Sequence, residues 1–215
     1  MLRLSICILV AVLATACTSA LAASAQTAAP EFFQRYSAPD PEQLETDIRE
    51  LRQELRSARA AGNRDAALRA TADLGERLTT ARREQEARTL LSAALAEARP
   101  SGSSETLGWL LLNLATANQY AGLRYEAAAQ FPEVLALSRN LGLDELEHYV
   151  LHHWGRFLAE EGDIAQARAR FAEALEIRIR LSDPRQASTR RALEALDARS
   201  DTIPASVAPI QTPTP

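Results

Sequence analysis

Three dipeptides, Leu74-Gly75, Leu114-Ala115 and Trp154-Gly155, stand forty residues apart, and the residues after each of them repeat in phase. In the first copy, Leu74-Gly75-x2-Leu78 is followed by Ala87-x3-Leu91 and Ala94-Leu95. The second runs Leu114-Ala115, then Ala127-x3-Phe131 and Val134-Leu135. The third runs Leu151-x2-Trp154-Gly155-x2-Leu158, then Ala167-x3-Phe171 and Ala174-Leu175. The copies occupy roughly 68–101, 108–141 and 148–181, each reading as two helices. A unit of that size cannot bury its apolar face alone and must stack on its neighbours. Small residues let one helix approach the next, and Phe or Leu fills the gap behind them. The expected fold is all-α, a short right-handed solenoid of helical hairpins.

This pattern resembles the tetratricopeptide repeat, which combines W-x2-L-G-x2-Y with a later A-x3-F. The period exceeds the usual one and is similar to the longer-helix variety of kinesin light chains and related bacterial proteins. The tyrosine position is Leu78, Asn118 and Leu158 here, and the first inter-helix turn has Arg82-Arg83 where the others have Gly122 and Gly162. The first copy therefore departs furthest from the pattern.

Local signals set the boundaries. Residues 1–25 read as a signal peptide: Arg3 precedes an apolar run too short to span a bilayer, and Ala23-Ser24-Ala25 fits a cleavage site. That predicts export, to a bacterial periplasm or beyond the cell. Leu13-Ala14-Thr15-Ala16-Cys17 also resembles a lipoprotein signal, so lipidation of Cys17 and its removal with the leader are both open. Residues 26–39 read as a flexible linker, and Asp40-Pro41-x-Gln43 opens an N-terminal helix over 40–62. Its apolar residues, Leu44, Ile48, Leu51, Leu55 and Ala58, form a seam for capping the first repeat or for a coiled-coil contact between copies. Gly162-Asp163-x2-Gln166 reads as a helix stop followed by a partial capping box. The repeat domain spans 63–199 and closes with a helix at 185–199, capped by Ser182-Asp183-Pro184 and facing the stack with Leu193 and Leu196. Residues 200–215, with four prolines, read as a disordered tail.

Composition removes several functions. The formal charge of −4 argues against nucleic-acid binding by bulk electrostatics. No segment after the leader reads as a membrane span. All 24 basic residues are arginine, so there is no Schiff-base or phosphate-loop lysine, and no catalytic motif is present. The expectation is a non-enzyme without a cofactor. His148, His152 and His153 cluster, and His148 and His152 lie one turn apart with Glu145 a turn earlier. That spacing is a weak metal candidate.

The resemblance implies a groove lined by the first helix of each unit, receiving a protein partner in the cell envelope. Carried over by position, its residues are Arg69, Ala72 and Glu76; Trp109, Leu112, Thr116 and Tyr120; and Tyr149, His152, Arg156 and Glu160. Aromatics are 5% of the chain, so Trp109, Tyr120 and Tyr149 on one face weigh toward an interface. The lysine–asparagine clamp that family members use on chaperone C-termini is absent. The alternative roles are a lipid-anchored or self-assembling structural protein, and a ligand site at the histidines.

Overall fold

A computed structural model describes Ala38, residues 40–101 and residues 104–202, with side chains to 198. The leader with Cys17, nearly all of the 26–39 segment and the tail from 203 onward lie outside the described residues. Eight α-helices make up the described chain: α1 Pro41–Ala60, α2 Arg64–Thr80, α3 Glu84–Ala98, α4 Glu105–Tyr120, α5 Arg124–Leu141, α6 Asp144–Glu160, α7 Ile164–Arg180 and α8 Gln186–Thr202. The hairpins α2–α3, α4–α5 and α6–α7 are the three repeats, stacked between α1 and α8. The fold is an all-α helical-repeat solenoid.

The forty-residue period divides into two equal halves at the turns. Residues 62, 82, 122, 142, 162 and 182 all have positive φ, twenty residues apart or a multiple of it. At each, the next residue donates its N–H to the carbonyl five positions back, as Asn63 does to Ala58 (2.9 Å), Arg83 to Leu78 (2.8 Å) and Asp163 to Leu158 (2.9 Å). Those bonds satisfy carbonyls that the helix end leaves without partners. The divergent first turn therefore has the same geometry as the others, with Arg82 at φ 60° doing what glycine does at 122 and 162.

The small-and-large pattern packs within each hairpin. A Cβ on Gly75 would lie 2.6 Å from Leu91, and one on Gly155 3.1 Å from the Phe171 ring. Leu91, Phe131 and Phe171 are fully buried, as is Ala115 at the equivalent small position of the second repeat.

α1 is capped as expected, with Asp40 Oδ1 accepting from the backbone of Glu42 (3.0 Å) and Gln43 (2.9 Å). It packs on α2 and buries Ile48, Leu55 and Ala58, with Leu44 and Leu51 half-buried against the core. The seam packs on α2, as a cap of the first repeat would. At the other end α8 begins at Gln186, not directly on Pro184, because Ser182 takes φ 55° and the Asp183 carboxylate accepts from Arg185 N–H (2.7 Å). Ala192 and Leu196 are buried and Leu193 half-buried. The capping box at α7 is also present in altered form: Asp163 accepts from Gln166 N–H (3.1 Å), while the Gln166 amide reaches the Asp163 carboxylate (2.6 Å) and not the backbone.

The two faces of the stack differ. The first helices touch in series, α2 on α4 and α4 on α6, whereas α3, α5 and α7 make at most marginal contact with one another. Crowding on one side places α2, α4 and α6 on the inner, concave side. Long side chains bridge successive layers three times at a separation of 34 residues: Arg52 of α1 to Glu86 of α3, Arg99 just past α3 to Glu133 of α5 (2.9 Å), and Arg139 of α5 to Glu173 of α7 (2.6 Å).

Candidate partner-binding face

The inner face is built from the exposed and half-buried residues of α2, α4 and α6. Its centre is an aromatic contact between helices: the Trp109 and Tyr149 rings meet edge to face with centroids 5.2 Å apart. Trp109 Nε1 donates to Glu105 one turn earlier (3.3 Å). Tyr149 is sandwiched, with His148 stacked at 4.9 Å and the Arg185 guanidinium over its ring at 4.3 Å. Both rings remain half-buried, neither fully core nor fully solvated. Tyr120 is half-buried as well. Further along α6, Arg156 lies 3.8 Å from Glu160, and Glu160 accepts from the Gln119 amide of α4 (2.8 Å).

Not every position carried over from the repeat pattern is on this surface. Leu112 is 2% exposed and Thr116 8%, with its hydroxyl donating to Leu112 O (3.0 Å). Ala72 is also buried. All three belong to the packing between helices and offer a partner nothing. The surface positions in that phase are one residue later: Asp73 is exposed, and Asn113 and His153 are half-buried. Asn113 spans two helices, its amide donating to Ala72 O (2.9 Å). The signal was available as a second forty-residue series, 73, 113 and 153, polar in all three copies.

Arg69 and Glu76 are exposed on α2. Glu76 accepts from Arg77 (3.2 Å), which also lies 3.6 Å from Asp47 on α1. Desolvation by the surrounding protein raises the carboxyl pKa of both Asp73 and Glu76. Glu54 raises Asp73 further and Asp73 raises Glu76, while Arg77 opposes both.

The histidine pair is held by a cation of the chain itself. Arg178 Nε donates to His148 Nδ1 (3.2 Å), and Arg178 Nη1 lies 3.3 Å from His152 Nδ1. The same guanidinium donates to the Thr189 hydroxyl and to Arg185 O (3.2 Å). His148 Nε2 faces Asp183 at 3.5 Å, and His152 Nδ1 lies 3.2 Å from Thr189 Oγ1. A guanidinium between two imidazoles takes the position a metal would need, and burial beside that cation depresses every histidine. His148 falls to about 4, His153 to about 3, and His152 well below its ordinary value. Arg178 is 2% exposed, and burial lowers it to about 10. Among the described residues no group of three or more metal-ligating side chains is assembled. The cluster is a fastening for α8, and nothing in the sequence pattern marks Arg178 and Thr189 as members of it.

No helix among the described residues is long and apolar enough to cross a membrane. Fold and face together define a helical-repeat solenoid with an aromatic pair on its inner side. The same fold occurs in BtubC (BKLC) from P. vanneervenii, with a TM-score of 0.62 at 21% identity, covering 73% of this chain. This chain spans 66% of that protein's length. A kinesin light chain protein of Podosopora anserina with nearly identical TPR-like repeats matches with a TM-score of 0.52 at 16% identity, over 77% of this chain and 90% of that one. No protein-family model matches the sequence, and no curated protein matches it. The repeats are tetratricopeptide-like in structure.

Proposed function

We propose that this chain is an exported adaptor of a bacterial cell envelope, holding a partner protein on its inner face over Trp109, Tyr149 and Arg156. The observation that carries this reading is the half-buried Trp109–Tyr149 contact across α4 and α6, with Arg185 on its far side. Aromatic rings and arginine anchor most interfaces, and rings already fixed by neighbours lose little freedom on binding. Export is supported by the leader pattern at 1–25.

Two experiments test it. Crosslinked affinity capture from intact envelopes compares the wild type with a Trp109→Ala, Tyr149→Ala, Arg156→Ala variant whose helicity is checked by circular dichroism. A partner held by the first and lost by the folded second supports the inner face; equal capture by both moves the contact elsewhere. The intact mass of the chain recovered from cells settles its processing. A start at Gln26 supports a soluble periplasmic or secreted protein, and a lipid on Cys17 supports an anchored one. A full-length chain retained in the cytoplasm ends the export reading.

A further inference from the structure

The inner face is not electrically uniform. Around the aromatic pair the charges are matched within the chain: Arg156 faces Glu160, and Arg185 is held by Asp183 (2.8 Å). On α2 they are not. Asp73 makes no hydrogen bond and no ion pair among the described residues, and it stands in the open. The nearby cation, Arg77, is divided between Asp47 (3.6 Å) and Glu76 (3.2 Å). Glu54 adds a further like charge from α1. Two exposed carboxylates within one turn of α2, with the nearby cation Arg77 divided between Glu76 and Asp47, form a place where an incoming positive charge finds an unmatched partner. The chain as a whole carries −4, which steers a basic partner toward it.

Resting on the reading of the inner face as the binding surface, we propose that the segment it receives is basic at one point and apolar at another. An arginine or lysine seats against Asp73 and Glu76, and a proline, aromatic or aliphatic residue lies on Trp109 and Tyr149. Neighbouring helix axes stand about 8–10 Å apart and an extended chain advances about 3.4 Å per residue, so the two anchors fall about three to five residues apart. The charge match favours this occupant over the uncharged proline-rich 203–215 segment, which would leave Asp73 and Glu76 as they are.

The test uses the full chain and a displayed library of random twelve-residue peptides. Selected peptides are expected to pair Arg or Lys with an apolar residue at that spacing. A synthetic peptide from the selection should lose about tenfold in affinity toward Asp73→Asn, Glu76→Gln, the loss of one charge-assisted contact. The same peptide with its basic residue changed to Glu should bind Asp73→Arg, Glu76→Arg better than wild type. All four substitutions lie on exposed positions, so folding is not at stake. Peptides that need Trp109 and Tyr149 yet carry no basic residue would overturn this inference and leave the inner face as the binding surface. Peptides indifferent to Trp109→Ala, Tyr149→Ala would overturn the inner-face reading itself. Binding that appears only after removal of residues 203–215, or only on disrupting a dimer, would give the face to the chain's own segment or to a second copy, and would equally overturn the inference.

Discussion

The two ends of the solenoid are closed by different physics. At the N-terminal end, α1 lays Ile48, Leu55 and Ala58 on α2, and its polar ties, such as Asp47 to Arg77, are open to water. At the C-terminal end, α8 contributes less apolar surface, chiefly Ala192 and Leu196, and is fastened by the buried Arg178 guanidinium. A cap held by apolar burial loses stability in small increments. One held by a desolvated cation depends on a few groups, each of which must stay in its proper protonation state. The difference predicts where the stack opens first.

The largest effect is expected from Arg178→Ala. Removing the guanidinium leaves His148, His152, Thr189 and Arg185 O without their shared donor in a region closed to water. Loss of one partner from a buried network of this kind costs about 3 kcal/mol. Urea unfolding should show that loss, and hydrogen exchange should place it in α8 and the end of α7 before any other helix. Uniform loss across all eight helices would break the contrast between the caps.

Acid should separate the two ends next. The histidines fold with pKa values below the unfolded one, so the unfolded chain takes up protons that the folded chain refuses. The stability they contribute is present above pH 6.5 and is lost as pH falls toward the folded value of about 4 for His148. The slope is about 1.4 kcal/mol per pH unit for one group within that window. Arg178, Arg185 and Asp183 face His148 from α7 and the α7–α8 turn, and the two arginines outweigh the carboxylate. At the other end Asp73 and Glu76 are raised, so their charge repulsion is relieved as pH falls through their folded values. Hydrogen exchange followed from pH 7 to pH 4 should therefore show α8 losing protection while α1 and α2 keep theirs.

The repeats were legible because their signal is local and periodic: a small residue at 75, 115 or 155 and a large one sixteen positions on lie in one hairpin. The helix starts at Asp40 and Asp163 were legible for the same reason. The candidate face was legible only in part. A residue-by-residue transfer of the repeat pattern placed Leu112 and Thr116 on the surface, but these closely packed first helices bury that stripe and turn the next one outward. Arg178 was hidden for another reason. It is one arginine among 24 basic residues, thirty positions from His148, and nothing in a helical pattern distinguishes a buried one from a solvated one.

The turns allow a finer comparison, because the first uses Gly62 at φ 67° and the last Ser182 at φ 55°. A side chain in the left-handed region costs about 1–2 kcal/mol, against roughly 0.5–1 kcal/mol for the extra freedom of glycine in the unfolded chain. Ser182→Gly should therefore stabilise by about 0.5 kcal/mol, and Gly62→Ala should destabilise by about 1 kcal/mol. Thermal unfolding of the two variants checks both signs, and a stabilising alanine at 62 would show that this turn is not held in the left-handed region.

The smallest effect is expected from Arg77→Ala, the N-terminal counterpart of Arg178→Ala. The arginine side chain is 40% exposed, so its pairs with Asp47 and Glu76 are screened, and their loss should change stability by about 0.5 kcal/mol or less. Its electrostatic effect should be plainer than its energetic one. Arg77 is the group that lowers the pKa of Asp73 and Glu76 against desolvation and like charge. Without it both carboxyls should titrate at still higher pH, which carbon-detected NMR titration would follow directly. A large stability loss would mean that the N-terminal cap, too, depends on a cation. Unmoved carboxyl titrations would mean that Asp73 and Glu76 are better neutralised than the geometry of α1 and α2 allows.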